Sequence, residues 1–490
     1  MRWKPRRTTL ALTLAACAVG VLPCLLRRGE PVYDGQSLTY WIGRQVAGSF
    51  RERADATQVL TRIGPEAVPT LTHLLARSEH SIGQALREQL SGWFPDQFSP
   101  PPNPVSIRQQ AITLLGRLGP PAASAAPALL KRLESADPVE RQLLEEALLS
   151  LGSGAGDVLA KGLQHPSREV RTSVAKVLPL SGVRLDASVL LPPLQELSQS
   201  EDAEARCAAA RALTMLALRQ DTPVVMDGVR RLAQDSEPMV AFGILSGCDP
   251  APSLGAFPAF ESFREPMPAG ADLPPPAPQA WVLLADLMEH PSAEVRAMAA
   301  ARHWQLAHDA GRVLPVFTNV LQEPRVIWMA ASGLRAMGPA AEPAIPALLE
   351  AVPREPVHRP DRTPATSAMA LAAIGPAALP GLRQLLDHPE LNVRLSAAHA
   401  LRQFGPAAAD AVPGLIRLLE EPSDEAKTLA GDTLGIIGPA ARRALPRLET
   451  LEQHSRGYPQ AAAAEAIRRI RQPPPAPMSA EPGPPLSPAG

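Results

Sequence analysis

The sequence predicts an all-α fold: a right-handed α-solenoid of about eleven stacked helix pairs behind an N-terminal membrane segment. Three observations predict it. Gly-Pro recurs at Gly64, Gly119, Gly338, Gly375, Gly405 and Gly438, the last four 37, 30 and 33 residues apart, and a period of roughly 20–50 residues marks a stacked array. A second proline follows each mark, eight residues after the glycine at Pro127, Pro346, Pro413 and Pro446 and five after it at Pro69 and Pro380. Between the marks the apolar residues keep the helical period: Ala426, Leu429, Ala430, Thr433, Leu434 and Ile437 form one stripe, and Val393, Ser396, Ala397, Ala400, Leu401 and Phe404 repeat its spacing.

Residues 1–28 are expected to be an anchor or signal segment. Arg2, Lys4, Arg6 and Arg7 precede 19 uncharged residues, Thr8 to Leu26, and Arg27-Arg28 closes the run. As a helix it would span ~28 Å, enough to cross a bilayer. The greater positive charge before the run places the N-terminus in the cytoplasm and the repeats in the periplasm or at the cell exterior. Two other fates stay open. Leu14-Ala15-Ala16-Cys17 resembles a bacterial lipobox, with Cys17 as the lipidated residue of a lipoprotein. Ordinary cleavage would leave a secreted protein.

Residues 29–50 form a juxtamembrane or capping segment. Two of the chain's three tyrosines, Tyr33 and Tyr40, stand here with Trp41. They suit an interfacial aromatic belt or a cap over the apolar end of the array, and capping is the better account, because a repeat end must cover its core.

Residues 51–472 are the array. Glycine ends a helix in the left-handed conformation without a Cβ clash, the proline after it cannot continue that helix, and the second proline suits the first turn of the next. The three-residue difference between the two proline spacings reads as a short connecting turn, present or absent. First helices are expected to start near residues 68, 126, 154, 186, 221, 280, 311, 344, 378, 411 and 443. The turn into the second helix also recurs: "HPSREVR" from His165, "HPSAEVR" from His290, "HPELNVR" from His388, and a degenerate "EPSDEAK" from Glu421. Its Ser, Asp and Glu residues suit a helix N-terminus.

On these residues — the Gly-Pro-Ala marks, the "VPGLIRLL" first helix and the "HPxxxVR" turn — the chain resembles the HEAT-repeat family in its short bacterial form, over roughly residues 50 to 472. The repeats are shorter than usual, and between residues 150 and 335 most lack the Gly-Pro mark. The segment before them also resembles that of uncharacterised membrane-attached bacterial HEAT proteins. That resemblance implies a location and no chemistry.

Two insertions interrupt the array, about 79–105 and about 250–279. The second carries Phe257, Phe260 and Phe263 in a Pro-rich loop, where they either anchor a partner or dock on neighbouring helices. Residues 473–490, "PPPAPMSAEPGPPLSPAG", are expected to be a disordered tail.

Chemistry is sparse. A formal net charge of −1 is no footprint for nucleic acid. The arginines near the end, Arg442 to Arg471, read as a solvated capping repeat. Four cysteines make neither a disulfide framework nor a zinc spacing; Cys207 is expected in the core and Cys248 at a helix end. His165, His290 and His388 recur with the repeat, which argues for structure over metal binding. Arg171, Arg296 and Arg394 recur too, and could form a ladder with acids of adjacent repeats or line an inner groove. No catalytic, cofactor or metal residue is assigned, and no small-molecule substrate is evident. The expected function is a non-catalytic, membrane-tethered scaffold for a protein partner, which would lie along a concave surface lined by second helices. The alternatives are a HEAT-like bilin lyase or an accessory subunit of an enzyme complex.

Overall fold

The computed structural model describes residues 30–76, 104–181, 187–219, 223–248, 278–356 and 364–472. The described chain begins with an antiparallel hairpin, β1 (Val32–Tyr33) and β2 (Gln36–Ser37), with Val32 opposite Ser37. Helices α1 (Leu38–Ala47) and α2 (Phe50–Leu60) follow. Then come α3 (Val68–Leu75) with α4 (Pro104–Leu118), α5 (Ala126–Leu133) with α6 (Pro138–Ser150), α7 (Gly156–Gly162) with α8 (Arg168–Val177), α9 (Ala187–Leu197) with α10 (Ala203–Arg219), and α11 (Pro223–Leu232) with α12 (Pro238–Gly247). The chain goes on as α13 (Pro278–Met288) with α14 (Ala293–Ala307), α15 (Ala310–Val320) with α16 (Ile327–Met337), and α17 (Ile345–Ala351) with α18 (Thr366–Ile374). It ends as α19 (Leu379–Leu385) with α20 (Leu391–Arg402), α21 (Val412–Leu418) with α22 (Asp424–Ile437), and α23 (Leu445–His454) with α24 (Tyr458–Arg471).

All eleven first helices start within two residues of their expected positions. The pair α1–α2 is additional. It carries no Gly-Pro mark, and Ser37 and Ser49 start its helices by side-chain capping, Ser49 in a capping box with Glu52. The insertions are slightly shorter than expected, since α4 takes in Val105 and α13 begins at Pro278. The segment 1–28 with Cys17, Phe257, Phe260 and Phe263, and the tail 473–490 lie outside the described residues. Among the described residues no helix is long and apolar enough to cross a membrane.

Contacts divide the chain into two compact units, one reaching Ala280 and the other running from Trp281 to the end of the described chain. In the first, second helices stack on one another in sequence, α4 on α6, α6 on α8, α8 on α10 and α10 on α12. In the second, α14, α16, α18, α20, α22 and α24 do the same. Small residues set the closeness: a Cβ on Gly116 would lie 3.2 Å from Cα of Ala147, and one on Gly435 would lie 3.0 Å from Cα of Ala466. The six stripe residues of α22 are all at most 5% exposed.

The connecting turns are 3-10 helices. After the five-residue marks they are one turn, Pro65–Ala67 and Pro376–Ala378; after the eight-residue marks they lengthen to Pro120–Ala125, Gly338–Ala344, Gly405–Ala411 and Gly438–Ala444. Three extra residues are one 3-10 turn. The glycines depart from the expected left-handed helical conformation. Gly338 has φ 57° and ψ −134°, and Gly375 φ 113° and ψ −161°, a region more nearly restricted to glycine. Gly64 is the exception, at φ −104°. Where the mark is missing the first helix starts earlier. Pro192 and Pro315 stand eight residues before Ser200 and Glu323, as Pro413 stands before Glu421, but α9 and α15 extend past them toward the N-terminus and enclose them.

Candidate functional site: the inter-helix turns and the open second-helix face

In five of the turns a side chain accepts from the amide two residues on, and histidine is one of several that serve. Nδ1 of His165 accepts from the Ser167 amide (3.1 Å), His290 from Ser292 (3.0 Å) and His388 from Glu390 (3.2 Å). At the same place Asp235 Oδ1 accepts from the Glu237 amide (2.9 Å) and Ser200 Oγ from the Asp202 amide (3.2 Å). Ser167, Ser292 and Ser423 then cap the second helices, while Glu390 makes no side-chain cap. The recurring histidine is a turn residue.

The recurring arginine, six residues after the turn acceptor, clamps the turn. Arg394 Nη1 donates to the carbonyls of His388 and Pro389, both at 2.7 Å, and Nη2 reaches Glu421 at 2.6 Å. Arg296 repeats this with His290 (2.9 Å), Pro291 (2.7 Å) and Glu323 (2.7 Å). Arg171 clamps His165 and Pro166 and lies 3.9 Å from Glu196. The seven-residue degenerate copy of the motif ending at Arg206 escaped the sequence reading, because its turn "SEDAEAR" lacks His-Pro; the six-residue spacing from Ser200 was the available signal. Arg206 clamps Ser200 and Glu201 and grips Asp235 with two bonds, 2.7 and 3.0 Å. Burial pushes the Asp235 carboxyl up, but Arg206 and the Glu237 amide outweigh it and hold it below the usual range. Of the two roles open to these arginines, the ladder is the one formed.

Two further polar clusters tie the first unit together. Glu140, 1% exposed, accepts from Arg108 Nε (3.0 Å) and from Arg132 Nε (2.9 Å) and Nη2 (2.7 Å). Burial raises its carboxyl, and the two guanidinium groups bring it below its ordinary value. Glu145 accepts from Ser173 Oγ (2.7 Å), and Lys176 joins Glu145 (3.6 Å) to Glu204 (2.6 Å). In the second unit Glu355 braces the start of α18, accepting from the amides of Thr366 (2.8 Å) and Ser367 (2.9 Å). Burial pushes the Cys207 thiol up to about 11, so at neutral pH it is a packed thiol on α10, facing Gly243 of α12. Cys248 caps the end of α12 and is buried. His303 is 3% exposed, edge-on to Trp281 at 5.1 Å, and burial lowers its pKa.

At the N-terminal end, Leu38 and Ile42 are fully buried and Trp41 Nε1 donates to the Tyr33 carbonyl (2.8 Å). Tyr33 donates to Glu66 (2.7 Å); burial and that bond push its hydroxyl up to about 12. Near the C-terminal end Glu465 holds Arg468 and Arg469, and Glu449 holds Arg471.

The second helices of the second unit leave one arc open. Counting back from the Gly mark, position four is always a buried leucine: Leu334, Leu371, Leu401, Leu434. Position six is half-exposed and always different: Ser332, Met369, His399, Asp432. At 100° per residue, positions two, six, ten and thirteen share one side. Gln403 Nε2 lies 3.8 Å from Met369 Sδ across two neighbouring helices of this face.

Stacked helix pairs with Pro-started first helices, clamped turns and an open second-helix face define an α-solenoid of the HEAT-repeat kind. A family model described as HEAT repeats matches residues 357–435. Yeast importin-β, Kap95p, is similar in structure with a TM-score of 0.50 and 13% identity. The same protein in a structure concerning its binding to RanGDP gives a TM-score of 0.51 and 14% identity. Each match covers 88% of this chain and 60% of the other, so this chain spans well under two thirds of those solenoids. The likeness shows the fold. No curated protein matches the chain.

Proposed function

We propose that this protein is a membrane-tethered scaffold that binds a protein partner along its second-helix face, with the repeats outside the cytoplasm. One observation carries the binding reading. Within the second unit the buried positions repeat from helix to helix while the open ones, Ser332, Met369, His399 and Asp432, all differ. Packing accounts for the first property, and the second gives a chemically varied surface of the kind that repeat arrays use to bind extended partners. Kap95p, with a similar fold, engages the protein RanGDP in one of the structures compared, which supports the reading by analogy of fold alone. The tether rests on the run from Thr8 to Leu26 and the basic residues before it.

The test joins both halves. A C-terminally tagged chain is cross-linked in living cells, membranes are washed with carbonate, and the partners recovered are identified. Retention in the washed membranes together with one envelope protein recovered repeatedly is the expected result. Release by the wash would overturn the tether, and recovery of background proteins alone would overturn the scaffold.

A further inference from the structure

Three neighbouring second helices of the second unit, α16, α18 and α20, differ from the rest of the open arc. Trp328 stands on the solvent side of α16, 37% exposed, where the equivalent positions hold Ala365 just before α18, the buried Leu395 of α20 and Thr428 of α22. Half-exposed Met369 continues the apolar line onto α18. The arc's edge is basic: Arg335 and Arg402, three residues before their Gly marks, are exposed, and neither has an ion pair among the described residues. Glu323, before the start of α16, is engaged by Arg296 at 2.7 Å. On the next helix, α22, the open position is Asp432, so the basic, apolar stretch has a defined end.

We propose that the α16–α20 face docks an acidic peptide segment carrying a bulky apolar side chain, the apolar group against Trp328 and Met369 and the carboxylates toward Arg335 and Arg402. The proposal rests on the scaffold reading and names the partner's chemistry. Charge complementarity selects acid over base, since guanidinium groups with no ion pair among the described residues, at the edge of an apolar strip, reward carboxylates and repel cations. A half-exposed tryptophan is the side chain most often found as an anchor in such contacts.

The test uses the full chain in detergent and two fluorescent twelve-residue peptides, one of Glu, Leu and Gly and the same peptide with Lys for Glu, read by anisotropy. The Glu peptide is expected to bind, to weaken with added salt, and to lose about tenfold or more in affinity on Trp328→Ala and on Arg335→Glu/Arg402→Glu. Arg383→Glu/Arg443→Glu, on the first-helix side, should leave binding unchanged. Both variant pairs lie on the surface, and a melting curve verifies that they fold. Equal binding of the Lys peptide, or indifference of the Glu peptide to both sets of face variants, would overturn the proposal. So would loss of self-association, seen by sedimentation, in place of peptide binding, since the face would then belong to a second copy. In-cell cross-links that survive the face variants would sink this site and leave the scaffold standing; absence of any specific cross-link from the unaltered chain would sink the scaffold itself.

Discussion

Replacing Arg394 by alanine separates the two jobs of the ladder. Its guanidinium makes two bonds of 2.7 Å to turn carbonyls and one of 2.6 Å to Glu421, and the two side chains are 15% and 27% exposed. Hydrogen bonds to a charged group contribute about 1.5–3 kcal/mol each when their partners are left dry. Here water can reach a surface turn once the side chain is gone, so the carbonyl pair is worth about 2 kcal/mol in total. The partly exposed ion pair adds about 0.5–1 kcal/mol after screening. Arg394→Ala should therefore cost about 2–3 kcal/mol, Glu421→Ala less than about 1 kcal/mol, and Arg394→Lys an intermediate amount, since one ammonium cannot serve both groups at once. Each repeat contacts only its neighbours, so the loss should appear as faster amide hydrogen exchange in α19 to α22, with little change in α15 and α16. A Glu421→Ala effect equal to that of Arg394→Ala would refute the reasoning, because the link between repeats, and not the clamp on the turn, would then dominate.

Other outcomes follow from single residues. Leu434, fully buried, should cost roughly 2–5 kcal/mol as Leu434→Ala, against about 0.5 kcal/mol or less for Lys427→Ala, both by urea denaturation; equal costs would mean that the helical register is wrong. Gly375→Ala should lower stability by about 1–3 kcal/mol through backbone strain alone, since an added Cβ has nothing within 4 Å, and an unchanged melting curve would show that the turn relaxes freely. Because Glu140 is held below its ordinary 4.5 in the folded chain, its contribution is full above that pH and is lost as the pH falls through the lower, folded value. Glu140→Gln should cost about 3 kcal/mol at pH 7, where Arg108 and Arg132 lose their carboxylate, and should flatten the acid limb of a stability–pH curve; an unaltered acid limb would show that other carboxylates set it.

What was legible in the sequence was what the chain specifies locally. Gly-Pro and the second proline act on the two or three peptide bonds around them, so the six first helices that follow a mark could be placed before any packing was known. The same limit explains the misses. The pair α1–α2 begins from Ser37 and Ser49, caps that occur in any polar stretch, and carries no Gly-Pro mark. In α9 and α15 the familiar proline lies inside a longer helix, because without the Gly-Pro break nothing stops the helix from growing back past it. Partners of the ladder lie 25 to 29 residues apart, a separation that has meaning only once the stacking is known, and Glu355 caps α18 from eleven residues upstream. The open face was hidden for a related reason. A leucine four residues before each mark declares itself by repeating, whereas Ser332, Met369, His399 and Asp432 become one surface only after the leucines have fixed which side of each helix faces inward. Comparison of the repeats with one another thus identifies the core by its sameness and the open face by its variation, and in this chain that face carries the proposed docking residues Trp328, Met369, Arg335 and Arg402.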